Sequence, residues 1–175
     1  DLMGPFIRRL WIRHQRSGRN IRRTMESVLP SLTVSSILEE PFAGDPFPGH
    51  DRINHSLADI QAVVSNGRAD WRIALESMKG VYVIHDKETG RRYVGSAYGD
   101  TGIWQRWSTY AESLHGGNAG LKELLEEKGD EYYRTNMRFA LLEYWSMRTD
   151  DHLVLERESY WKDVLNARSL GHNKN

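Results

Sequence analysis

The chain has 175 residues, 39% of them hydrophobic and 27% charged, which suits one soluble globular domain, or one such domain plus a modest appendage. No apolar run approaches the roughly 20 residues of a membrane helix; Leu10-Trp11-Ile12 is flanked too closely by Arg8, Arg9 and Arg13 for a signal peptide; and the absence of cysteine excludes disulfides and thiolate metal sites. Lys+Arg and Asp+Glu are both 24, so net charge points to no polyanionic partner, and a cytoplasmic location is the default expectation.

The charge distribution is less even. Residues 1–24 carry seven arginines, Arg8, Arg9, Arg13, Arg16, Arg19, Arg22 and Arg23, against the single acid Asp1. Such a run reads either as a solvated arm or as a phosphate-binding arm. Residues 1–29 are expected to form a basic helix that stops before Pro30. Residues 41–51, rich in proline and glycine, read as a linker, and short helices are expected over 56–65 and 69–77, the second opening on Asp70 and Trp71.

From Lys79 the pattern sharpens. Gly80–His85 and Arg92–Ala97 are β-branched and aromatic, and the polar segment Asp86–Arg91 carries a turn glycine, which together predict a β-hairpin. Gly102–Leu114 follows as an amphipathic helix with Ile103, Trp107, Tyr110, Ala111 and Leu114 on one face. Asn118–Lys128 is a second helix stopped by Gly129. Asn136–Trp145, apolar on both faces around Phe139-Ala140-Leu141-Leu142, reads as a strand covered on both sides and central in its sheet. Asp151–Asn166 is a last helix capped by Asp150 or Asp151, with Leu153, Val154, Trp161, Val164 and Leu165 expected to point inward. The order β-β-α-α-β-α gives an α/β chain of the α+β type: a small, three-stranded, mostly antiparallel sheet flanked by helices, preceded by a mainly helical N-terminal extension over residues 1–78.

With a loop over Lys87–Gly90, Tyr82 falls opposite Gly95, and Tyr82 and Tyr93 share one face. A glycine there lets another group approach the backbone. Taken alone, these are two core tyrosines in an ordinary hairpin. Arg106 sits at the edge of its helix stripe beside Ile103 and Tyr110, where its fork suits a phosphate or a surface pairing with Glu112. Glu158 borders the last helix's stripe, half in and half out, while Glu156 faces further away; taken alone, Glu158 reads as a solvated helix carboxylate. Arg157 falls inside the stripe, either snorkelling or meeting a phosphate. His115, in a flexible His-Gly-Gly-Asn turn, suits proton transfer or the capping of the next helix. No HxxxH or HExxH pair, Walker-type loop or GxGxxG fingerprint is present.

The set Gly80-Val81-Tyr82, Tyr93-Val94-Gly95, Arg106 on the next helix, Glu158 on a later helix and Asn173 in Gly171-His172-Asn173 resembles the GIY-YIG nuclease family over about residues 79–175. The resemblance implies a metal-dependent endonuclease acting on DNA, with RNA not excluded. It implies catalytic roles for Tyr82, Tyr93, Arg106, Tyr110 (a position that is His or Tyr in relatives) and Asn173, with His115 ranked below them. Glu158 is the implied ligand of Mg²⁺ or Mn²⁺, since a hard cation takes oxygen ligands and keeps its waters. The chain departs from relatives at Ser96, where many place a lysine, and in the extra residues Tyr98–Gly102 before Arg106. Tyr82 is the expected general base, on the premise that a cation, the arginine and desolvation together lower a phenol pKa near 10; Tyr93 is expected to position water or phosphate. The alternatives are a nucleic-acid-binding module that kept the fold without the activity, and a protein-interaction domain whose six tryptophans fill cores.

Overall fold

The computed structural model describes residues 9–14, 24–39 and 44–174, which divide into two compact units, Asp1–Ala43 and Gly44–Asn175. In the first, β1 (Leu10–His14) pairs antiparallel with β2 (Leu32–Ile37), and the short helix α1 (Met25–Val28) lies between them in sequence. The basic helix expected over 1–29 is therefore not formed at Leu10–His14, which is a strand. Three consecutive apolar residues carry no helical period, and their partner strand lies too far along the chain for a local reading to find. Arg8, Arg16, Arg19, Arg22 and Arg23 fall outside the described residues.

The second unit runs β3 (His55–Ser56), α2 (Leu57–Ser65), α3 (Ala69–Glu76), β4 (Met78–Asp86), β5 (Arg92–Ala97), α4 (Gly102–Ser113), α5 (Ala119–Lys128), α6 (Asp130–Asn136), β6 (Met137–Ser146) and α7 (Asp151–Val164). Its sheet has four strands in the order β3-β6-β4-β5, all antiparallel. The expected three strands thus gain a fourth, the two-residue β3, too short to leave a pattern. The helix order gains α6, which starts directly after Gly129, where φ is 81°. β6 and β4 are the two interior strands, as expected of β6, although its outer partner β3 meets it only at Arg138 and Phe139.

Local chemistry accounts for the helix ends. Ser56 and Asp59 form a reciprocal capping box on α2. Asn118 accepts from the Leu121 amide at 3.1 Å to start α5, and Asp150 accepts from the His152 amide at 2.7 Å to start α7. The hairpin loop closes on Asp86, a fully buried carboxylate that accepts from the Glu88 amide (2.9 Å), the Thr89 hydroxyl (2.7 Å) and the Tyr132 phenol (2.8 Å).

Alternation along the strands sorts the two faces. On one, Tyr82, Ile84, Tyr93, Ala97 and Phe139 pack with Leu57, Ile60, Trp71, Leu75, Trp107 and Tyr110 from α2, α3 and α4. On the other, Val81 and Val94 pack with Val154, Ala167 and, more peripherally, Trp145, Trp161 and Leu165. The helices before residue 79 therefore share a core with the hairpin. Leu153 and Val164, expected inside, are 40% and 51% exposed. Val154, Trp161 and Leu165 do face inward as expected, and Glu158 and Lys162 join them, which brings polar groups to the sheet. Among the described residues, no helix is long and apolar enough to cross a membrane.

Candidate active site

Tyr82 and Tyr93 come from β4 and β5, and the hairpin register sets Tyr82 against Gly95 as the loop length requires. Tyr82 is fully buried. Its ring reaches across position 95 so closely that a Cβ there would lie 2.6 Å from the hydroxyl; only glycine leaves that path open. The hydroxyl meets the Tyr110 hydroxyl at 3.1 Å, and Arg106 Nε donates to it at 3.1 Å. Tyr110 and Arg106 lie one turn apart on α4, so both reach the same point.

Arg106 is held on all three nitrogens. Besides Tyr82 it donates through Nη2 to the Tyr110 hydroxyl (3.3 Å) and through Nη1 to the Gly116 carbonyl (3.2 Å). The Glu112 pairing considered from sequence is not among these bonds. Gly116, at φ 58°, presses so closely on the Tyr110 ring that a Cβ would clash with it at 2.4 Å. Nη1 and Nη2 each carry a second N–H beyond these bonds, and Arg106 forms part of the wall of an open cavity of about 640 Å³.

That cavity gathers Tyr93, Ser96, Gln105, Arg106, Glu158 and Lys162. Glu158 sits half-buried on α7. Its Oε2 accepts from the Ser96 hydroxyl at 2.5 Å, and its Oε1 meets Lys162 Nζ at 3.0 Å. Glu156 is exposed, as its place on the helix suggested. Arg157 neither snorkels nor faces the cavity: it pairs with Glu143, which also accepts from the Trp161 indole at 2.8 Å, and its guanidinium stacks on Tyr160. Lys79 Nζ bonds the Thr149 carbonyl (2.7 Å) and Asp151 (2.6 Å), and Asp151 also accepts from the Gly99 amide (3.0 Å). This ties the start of α7 and the β5–α4 loop to the sheet beside the cavity.

Four of the expected site residues are off the cavity wall: Tyr82 and Tyr110 lie fully buried behind Arg106, and Asn173 and His115 stand further apart. Asn173 does not face the cavity; it is buried, and its side chain bonds both the amide and the carbonyl of Val94, each at 2.8 Å. His115 stays in its turn, where Nδ1 accepts from the Gly117 amide at 3.0 Å. Lys162 went unnoticed in the sequence, although its i,i+4 spacing from Glu158 was the available signal.

Electrostatics correct one premise. Burial does not lower the Tyr82 phenol; it is the largest influence pushing it above its ordinary value, because the dry interior disfavours the phenolate. The neighbouring Tyr93 adds to this, while the Arg106 charge and the bonds from Tyr110 and Arg106 pull the other way. Tyr110 is raised for the same leading reason.

Among the described residues, no three His, Cys, Asp or Glu side chains are grouped to hold a metal. Glu158 and the Ser96 hydroxyl are nonetheless hard oxygen donors beside roomy, polar space. A cation such as Mg²⁺ needs few protein ligands and retains water, and to bind Glu158 it would have to displace the Lys162 ammonium from Oε1.

A family model described as the GIY-YIG catalytic domain matches residues 78–173, over half of the chain. The chain belongs to the GIY-YIG family, whose domains are endonuclease catalytic domains. Among solved structures it is similar to the catalytic domain of the intron endonuclease I-TevI, as a point mutant (23% identity, TM-score 0.45, covering 56% of this chain and 94% of that one). It is likewise similar to the catalytic domain of the homing endonuclease I-TevI (23% identity, TM-score 0.44, covering 55% and 98%). No curated protein sequence matches the chain.

Proposed function

We propose that the chain hydrolyses phosphodiester bonds in DNA, using a divalent cation held by Glu158. The observation that carries this reading is the joining of a fixed guanidinium and a carboxylate in one cavity, with the Tyr82–Tyr110 phenol pair bonded to the back of that guanidinium. Mg²⁺ or Mn²⁺, when bound, would offset charge on the phosphate and make attacking water more acidic.

The chain's own groups supply the rest. Arg106, clamped by Tyr82, Tyr110 and Gly116, directs its remaining Nη protons at a non-bridging phosphate oxygen. Its orientation is set before substrate arrives, so little reorganisation is needed as charge grows. Tyr93, on the cavity wall, orients water or phosphate. Tyr82 is the candidate general base. Burial opposes this role and keeps the hydroxyl off the cavity wall, so the proton has to reach it past Arg106, whose Nε, donating to the phenolic oxygen, stabilises the phenolate the role requires. Water attacks phosphorus, its proton passes to the base, and the bond from phosphorus to the leaving sugar oxygen breaks. Asn173 acts at one remove, by fixing Val94 between Tyr93 and Gly95. His115 contributes through the turn that presents the Gly116 carbonyl to Arg106.

Purified protein incubated with supercoiled, linear, branched and single-stranded DNA, and with RNA, in Mg²⁺ or Mn²⁺ tests the reading. Cleavage that chelation and Glu158→Ala both abolish is the expected result. Binding without cleavage of any form supports the inactive module instead, and full activity in Glu158→Ala overturns the metal assignment.

A further inference from the structure

Tyr98 follows directly on β5 and forms part of the wall of the cavity shared by Tyr93, Arg106 and Glu158. It is 48% exposed, and the cleavage scheme gives it no role. A single exposed aromatic residue is ordinary on a protein surface; the surroundings of Tyr98 set it apart. Tyr160, equally exposed, is covered by the Arg157 guanidinium 4.1 Å from its ring centroid and by an edge contact with Trp161. Tyr132 and Tyr144 bond Asp86 and Asp51 through their hydroxyls. Tyr98 has no ring contact and no hydrogen bond from its phenol among the described residues. Its backbone is nonetheless anchored: the Gly99 amide donates to Asp151 at 3.0 Å, and the buried Lys79 holds Asp151 at 2.6 Å. An open aromatic ring thus stands on a fixed strand end beside the candidate active site.

A second apolar group meets the same cavity. Leu155, 39% exposed, lies one turn before Glu158 on α7 and also lines it. Tyr98 and Leu155 therefore bring apolar surface to a cavity that also holds Ser96, Gln105, Arg106 and Glu158. A nucleotide divides in the same way, into a charged phosphate and a base with two apolar faces. With the phosphate at Arg106, the attached base is the substrate's nearest apolar group. Inside a duplex both faces of a base are covered by its neighbours, so a protein ring can stack only on a base that has left the helix. Such a platform takes any base, because every base has a π-face.

We infer that Tyr98 is the stacking platform for one unpaired nucleobase beside the phosphate at Arg106, with Leu155 against the same nucleotide. The substrate is then DNA carrying an unstacked nucleotide where it is cut, as in a bulge, a flap, a junction or a single strand. The inference rests on the nuclease reading and names the substrate class of that site.

The test is binding of the full chain, in chelator so that nothing is cleaved, to fluorescein-labelled duplexes read by anisotropy. One duplex is fully paired, one carries a single-nucleotide bulge, and one carries the same bulge with its base removed. The bulged duplex should bind at least about fivefold more tightly than either of the others, as base–aromatic stacking requires. The abasic bulge keeps the phosphates, so the difference reports the base. Tyr98→Ala should make the bulged and abasic duplexes alike, while Tyr98→Phe, which keeps the ring, should preserve the preference. Replacing an exposed side chain spares the core, and matching melting curves check this. Equal affinity of the unaltered chain for the bulged and abasic duplexes, or an undiminished preference in Tyr98→Ala, would overturn the inference while the cleavage panel still supported a nuclease. Loss of the preference in Tyr98→Phe would also overturn it, by assigning the contact to the hydroxyl. Binding to none of the duplexes would overturn it together with the nuclease reading.

Discussion

Tyr82 and Gly95 face each other directly across β4 and β5, and the Tyr82 hydroxyl lies over the glycine so closely that a Cβ would come within 2.6 Å of it and within 2.9 Å of the Tyr93 ring. Gly95→Ala must therefore displace one or both tyrosines. Overpacking of this kind costs about 1–3 kcal/mol, and cleavage should fall more steeply than thermal stability does, because Tyr82 holds Arg106 and Tyr93 lines the cavity. Parallel melting curves and cleavage rates check this; a variant with wild-type activity would show that the tyrosines tolerate movement.

Tyr82→Phe keeps the ring and deletes the oxygen that receives Arg106 Nε and meets Tyr110. Cleavage should be abolished while oligonucleotide affinity changes little. If the variant instead retained full rate, the base would have to be another group.

The raised Tyr82 and Tyr110 phenols make a pH prediction. A group whose folded pKa lies above its unfolded value near 10 contributes stability that is fully present below about pH 10 and is lost as pH rises through the folded value. Burial leads both shifts. The unfolding midpoint should thus be flat up to about pH 9 and fall beyond it, less so in Tyr82→Phe. If Tyr82 is the base, the cleavage rate should climb with pH over the neutral range, by up to about tenfold per unit. A rate independent of pH would count against it.

Arg106→Lys keeps the charge and loses the fork that bonds Tyr82, Tyr110 and Gly116 together. Losing one aligned donor to a developing oxyanion typically costs about 10²–10³ in rate, and a loss of that order is expected in single-turnover assays, with binding weakened far less.

Asn173→Asp removes the amide that donates to the Val94 carbonyl while keeping the oxygen that accepts from its N–H. A buried carbonyl left without its donor, facing a carboxylate, should cost about 1–3 kcal/mol. Chemical denaturation measures this directly, and any activity loss should follow the fraction unfolded if Asn173 acts only through β5.

The hairpin was legible because strand alternation and a glycine turn fix its register within one short segment; Tyr82 opposite Gly95 follows from loop length alone. The caps at Asn118 and Asp150 were equally local. What lay beyond reach depended on distant partners. Leu10–His14 becomes a strand only by meeting Leu32–Ile37, and His55–Ser56 only by lying against β6. Helix α6 hid behind Gly129, which ends one helix and begins the next. On α7 hydrophobicity marks only part of the inner face: Val154, Trp161 and Leu165 lie inward, but Leu153 and Val164 face solvent and the Glu158–Lys162 pair turns inward. Arg106 was found by its motif position, but its three anchors, one of them the backbone of Gly116, could be seen only in three dimensions.

The strand β5 ends the sheet, and its outer rim of peptide groups would ordinarily invite a strand from another molecule to add on. Instead the last described residues occupy that rim: Asn173 plugs the Val94 amide and carbonyl, and the His172 amide bonds the Arg92 carbonyl at 2.8 Å. The tail thereby guards against self-association, so an enzyme clipped after Leu170 should form soluble aggregates under conditions where the intact chain stays dispersed.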